Sequence, residues 1–188
     1  MPDRVPTAIS ALAESDLIRA FLPEPMQVYL ARKNPALAAD ELRRRIAECL
    51  KGLILLDELP GDILFSDAID EIWHYLILQT WEYAEFCSKL PSGRFMRHTS
   101  AEYEAAAGES LDRDGRKRLA RLTAYFSSYV GRFGPMEADR LEYWPALQRF
   151  LALSGWDLDA ANRHFAQKSV ELGLALQQAP FEFAGDQR

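Results

Sequence analysis

The sequence predicts an all-α protein, a single compact helical domain of about seven to nine helices. Three observations predict it. Apolar residues recur at spacings of three and four along nearly the whole chain. No stretch alternates apolar and polar residues between turn signals, as a half-buried strand would. Pro60-Gly61, Pro91-Ser92-Gly93 and Gly134-Pro135 punctuate the periodic segments. No internal repeat, linker or low-complexity tract divides the chain. Residues 1–180 are expected to form the domain and 181–188 a loose tail, in which Phe181 and Phe183 can dock.

The elements follow in order. Ile9, Leu12, Leu17 and Phe21 outline a first helix, stopped by Pro23 and Pro25. A short helix near Met26–Arg32 ends before Asn34-Pro35. Asp40 is expected to cap a third helix with Leu42, Ile46, Cys49, Leu50 and Leu53 on one face. Ser66 precedes a fourth, expected to run unbroken from Asp67 to Cys87. Thr99 to Glu102 has the form of a capping box, so a helix is expected to begin at Ser100 and fade by Gly108. Leu119, Leu122, Phe126, Tyr129 and Phe133 mark a strongly amphipathic helix. Pro145 implies a break near Trp144. A last helix is expected from Asp157 to Gln177, with Leu158, Ala161, Phe165, Leu172 and Leu176 turned inward.

Composition narrows the function classes. Hydrophobic residues make up 48% of the 188 and charged residues 27%, which places the chain among globular proteins. A net charge of −6 argues against bulk attraction to nucleic acid or an anionic membrane. The longest apolar run, Leu53 to Leu56, is far too short to cross a bilayer, and the first ten residues lack a signal-peptide core. Cys49 and Cys87 make no disulfide framework. The expectation is a cytoplasmic protein with two reduced, buried thiols.

The chemistry concentrates in Asp67 to Cys87. On an unbroken helix Trp73, Leu76, Thr80, Tyr83 and Cys87 form a core-facing stripe, while Asp67, Asp70, Glu71 and His74 form a second, polar one. Asp70, Glu71 and His74 are therefore candidate functional residues. His98 joins them, because the ten residues after Ser88 can span ~33 Å and turn back at Pro91-Ser92-Gly93. Asp70, His74 and His98 are the candidate metal ligands, with zinc the natural divalent ion for such a donor set. Cys87 is excluded, since thirteen residues of continuous helix separate it from His74 by ~20 Å. Tyr75 and Trp81 flank the stripe and are expected to wall a pocket. The plain alternative is a charged helix start that complements the helix dipole, with a satisfied histidine beside it.

Other signals are weaker. Glu71-Ile-Trp-His74 matches the Glu-x-x-His element of di-iron bundles, but Ala161-Asn162-Arg163 before His164 supplies no second one. Arg113, Arg116, Lys117, Arg118 and Arg121 lack the aromatic partners of an RNA surface and read as a solvated helix face. His164 reads as a surface or half-buried histidine, and Trp144 and Trp156 as packing residues. Phosphate loops, Gly-x-Ser-x-Gly elbows, Cys-x-x-Cys pairs and His-Glu-x-x-His are absent.

The ordered string Ile69-Asp70-Glu71-Ile72-Trp73-His74, then Tyr83, Phe86-Cys87, Gly93 and Phe95 to His98 resembles the glycine-rich-domain-containing-protein-like family. The resemblance covers about thirty residues and matches Asp70, Trp73, His74, Tyr83, Cys87 and His98. The family often carries paired histidines where this chain has Arg97-His98-Thr99. The resemblance implies the location of a site and no particular reaction. Two functions follow as expectations. One is a non-catalytic binding domain whose surface around Asp70, His74 and His98 receives a protein or small-molecule ligand. The other is a metal-dependent, hydrolase-like enzyme using the same residues.

Overall fold

The computed structural model describes residues 13–59, 65–98 and 115–172. Among these the protein is all-helical, with no strand. Its helices are α1 (Glu14–Phe21), α2 (Glu24–Lys33), α3 (Ala39–Glu58), α4 (Asp67–Leu78), α5 (Thr80–Ser88), α6 (Gly115–Phe133), α7 (Pro145–Ser154) and α8 (Leu158–Glu171). A 3-10 helix, Ala138–Tyr143, leads into α7. The expected helix from Ser100, Arg113, the continuation to Leu176 and Gln177, and the tail lie outside the described residues, as do Ile9 and Leu12.

Helix α3 is the centre. It packs against α1, α4, α6 and the 3-10 helix. Ile46 to Leu50 and Gly52 to Leu55 are all buried, so the helix is covered on nearly every side, and its inward face includes the expected Leu42, Ile46, Cys49, Leu50 and Leu53. The Trp144 ring sits in this core with no exposed surface, edge-on to Phe65 and Phe126 and near Tyr125 and Tyr129 at 5.7–5.9 Å. Trp144 is also the break expected from Pro145: the 3-10 helix ends there and Pro145 opens α7, where its missing N–H costs nothing. Helices α6 and α8 pack closely on one another through Phe126 and Phe165.

Several expectations are corrected. Pro25 does not stop the first helix; it lies in the first turn of α2, where proline is tolerated. Asp40 does not cap α3. Ala38 is the N-cap, and Asp40 pairs with Arg43 at 2.9 Å inside the first turn. Leu172, expected inward, is 54% exposed, and Leu119 of the amphipathic pattern is 52% exposed. The most consequential correction is that Asp67 to Cys87 is two helices. Gln79 leaves the helical region at φ −95°, ψ 71°, and α5 starts anew at Thr80. The new direction buries Tyr83, Phe86 and Cys87, with Phe86 edge-on to Phe21 at 5.7 Å. Thr80 is left exposed and drops out of the stripe. Glutamine is a good helix former, so burial of the α5 aromatics, and no local propensity, dictates the break.

Candidate functional site

Helix α4 presents Asp70 and His74 one turn apart, as the spacing requires. The His74 Nδ1 lies 2.8 Å from the Asp70 carbonyl oxygen and 3.2 Å from its Oδ2. Both neighbours are acceptors, so Nδ1 carries a proton. The third residue arrives from a strap, residues 89–98, that has no regular structure. The strap turns back at Pro91-Ser92-Gly93. Gly93 adopts φ +63°, and Ser92 binds the Asp57 carboxylate at the end of α3 through both its N–H, at 2.7 Å, and its hydroxyl. The strap thereby delivers His98 Nε2 to 3.0 Å from Asp70 Oδ1. The two imidazole rings lie 4.5 Å apart.

One ligand atom each from Asp70, His74 and His98 falls within 4.8 Å of the others. Around a tetrahedral ion with bonds of ~2.0–2.1 Å, neighbouring ligand atoms sit ~3.3 Å apart. The contact Asp70 Oδ1 makes with His98 Nε2, at 3.0 Å, is close to that edge. The site grades from inside to outside: the His98 side chain is 15% exposed and that of His74 51%. Asp70 joins the two rings through separate carboxylate oxygens.

Other expected residues fall elsewhere. Glu71 is not in the group; it points away and accepts a hydrogen bond from the Tyr75 hydroxyl at 2.9 Å. Tyr75 is half-buried and edge-on to Tyr29, while Trp81 is 75% exposed. Neither lines an open cleft of about 350 Å³ walled by Leu56, Asp57 and the strap residues Arg94 to Arg97. Cys87 lies outside the group, its sulfur accepting the Met96 N–H at 3.4 Å. The unbroken helix from which that exclusion was argued is two helices. Trp73 is buried with its ring 4.4 Å from that of His98. Arg116, Lys117 and Arg118 are exposed on α6, and His164 is half-buried between Trp156 and Phe165.

A buried carboxylate escaped the sequence reasoning. Glu48 has no exposed surface and accepts hydrogen bonds from the Tyr129 hydroxyl, Trp144 Nε1 and Lys51 Nζ at 2.7–2.9 Å. Its position beside Cys49 in an otherwise apolar, inward-facing run was the available signal.

The chain matches the UCP032817-like family over residues 13–156. It belongs to that family. The stretch shared with the UCP032817-like family contains α1 to α7 and every residue of the Asp70–His74–His98 group. No curated protein and no solved structure matches the chain. Among the described residues of this UCP032817-like protein, no helix is long and apolar enough to cross a membrane.

Proposed function

We propose that this UCP032817-like protein is a helical binding domain that holds one divalent transition-metal ion, of the zinc type, on Asp70, His74 and His98. The ion's outward face receives a small molecule or a partner protein. The carrying observation is the convergence of two imidazoles and one carboxylate within 4.8 Å from two separated segments. The Asp70 carbonyl on His74 Nδ1 supports it, because a hydrogen bond on one ring nitrogen orients the other as a ligand. His98 Nε2 donates to Asp70 without an ion and must release that proton to coordinate one, so acid competes with the metal.

A second reading is a metal-dependent enzyme of the hydrolase kind. Three protein donors and a half-exposed outer side leave room for a water, the arrangement of catalytic zinc sites. The order Asp70, Trp73-His74, Tyr83, Phe86-Cys87, His98 also supports extending the kinship to the glycine-rich-domain-containing-protein-like family.

The test is metal content and zinc titration of untagged protein. About one ion per chain is expected, with affinity falling as the pH is lowered. His74→Ala and His98→Ala should each abolish binding and leave the helical circular dichroism intact. Their combination should do no more than either alone, because both act on one site. A folded wild-type chain that takes up no zinc, cobalt or nickel would sink the proposal.

A further inference from the structure

His98 reaches its place from a strap without helix or strand, yet both backbone polar groups of Met96, two residues earlier, are tied to the α4–α5 unit. The Tyr83 hydroxyl donates to the Met96 carbonyl at 3.0 Å, and the Cys87 sulfur accepts the Met96 N–H at 3.4 Å. The same Tyr83 oxygen accepts the Trp73 Nε1–H at 2.9 Å. Trp73 then presents its ring to His98, with centroids 4.4 Å apart and planes at 79°. Tyr83 also meets Phe95 of the strap edge-on at 5.3 Å. The relay exists only because α4 and α5 are separate helices, since residues 73 and 83 would be ~15 Å apart along a continuous one.

We infer that Trp73, Tyr83 and Cys87 are positioning residues of the cation site: they fix the strap at Met96 and so hold the His98 ring against Asp70. The inference rests on reading Asp70, His74 and His98 as that site. The magnitude of chain reach shows why a clamp is needed. Two residues of unrestrained chain sweep ~7 Å, more than the 4.8 Å spread of the whole ligand set. Fixing Met96 removes that freedom before an ion arrives. Tyr83 is suited to the task because a phenol donates and accepts at once. Phenylalanine there would keep the ring and leave the Trp73 N–H and the Met96 carbonyl without their partner.

The experiment compares wild type with Tyr83→Phe by two readouts. One is the nuclear Overhauser contact between the His74 and His98 ring protons in metal-free protein; the other is zinc affinity. The folded variant is expected to lose the ring contact and to bind zinc roughly 10- to 100-fold more weakly, the usual effect of removing a group that orients a ligand. A lower melting temperature with ring contact and zinc affinity unchanged would mean that Tyr83 only stabilises the fold, and the inference would be wrong. If wild type binds no zinc, the cation reading fails, while the ring contact still decides whether Tyr83 positions His98. If Tyr83→Phe does not fold, Cys87→Ala decides by the same contact: weakening supports the clamp and an unchanged contact overturns it.

Discussion

Glu48 is the residue whose environment departs furthest from its chemistry. A carboxylate with no exposed surface is tolerable only when donors replace its water, and here a phenol, an indole and an ammonium do so. Lys51 also lies over the Tyr129 and Phe133 rings at 5.4 and 5.8 Å, which holds its charge beside the carboxylate. Removing the carboxylate strands three donors, one of them a partly buried cation. Glu48→Ala is therefore expected to cost about 3–5 kcal/mol, the range for breaking a buried charge pair by removing one partner. Urea unfolding monitored by circular dichroism measures it. A loss below 1 kcal/mol would show that solvent reaches the site. Asp70 contrasts with Glu48: its side chain is 38% exposed, with one imidazole on each carboxylate oxygen.

At the scale of elements, α3 shows how a single residue sets a close approach. Gly52 has no side chain, and a Cβ there would meet Phe65 Cζ at 2.7 Å and Trp144 Cη2 at 3.2 Å. The Phe65 ring cannot retreat easily, being edge-on to both Trp73 and Trp144 at 5.7 Å. Alanine would gain about 1 kcal/mol of helix propensity. Overpacking a filled core commonly costs about 1–3 kcal/mol and here involves two rigid aromatics. Gly52→Ala should accordingly lower the melting temperature, which differential scanning calorimetry would record. An increase would mean that Phe65 has room to move. Because Phe65 also packs on Trp73, the variant should disturb the wall behind His98 as well.

The whole molecule carries a pH dependence in its buried phenols. Burial raises the Tyr143 phenol to about 12, aided by the Glu41 carboxylate that accepts its hydrogen bond. Burial likewise pushes Tyr125 and Tyr129 well up, with the Glu48 charge adding to it, and raises Tyr83 against the opposing hydrogen bond from Trp73. Each folded value exceeds the unfolded one of ~10. The unfolded chain thus releases these protons first as the pH rises. The stability they contribute is complete below pH ~10 and is lost as the pH climbs through the folded values. The fold should open cooperatively above that pH, with the ionisation of these four phenols appearing in one step together with loss of helical signal. Gradual ionisation at pH ~10 with the helices intact would show that these phenols meet solvent. Glu41 acts in the opposite direction. Burial raises its carboxyl, but hydrogen bonds from Arg45, Tyr143 and Arg44 outweigh it and hold it below the ordinary value, so its contribution is present at neutral pH and lost in acid.

Helical periodicity determined by itself the class of the fold, the inward face of α3, the break before Pro145 and the turn at Pro91-Ser92-Gly93. Each of these follows from local geometry: which residues share a helix face, and where proline or glycine stops one. The pairing of Asp70 with His74 was legible for the same reason, since residues four apart on a helix are neighbours wherever the helix lies. The arrival of His98 was legible only as reach, because chain length limits where a strap can go and does not select among the places within that limit. The tertiary structure made the selection, through Asp57 on Ser92 and through Tyr83 and Cys87 on Met96. It also decided the break at Gln79, the burial of Glu48 and the separation of Glu71 from the Asp70–His74–His98 group. The break and the separation of Glu71 have no local signal, and the apolar run around Glu48 marks its position without its partners, because each depends on what another segment brings into contact: the aromatic face of α5, the strap returning to α4, and the hydroxyl of Tyr129 on α6.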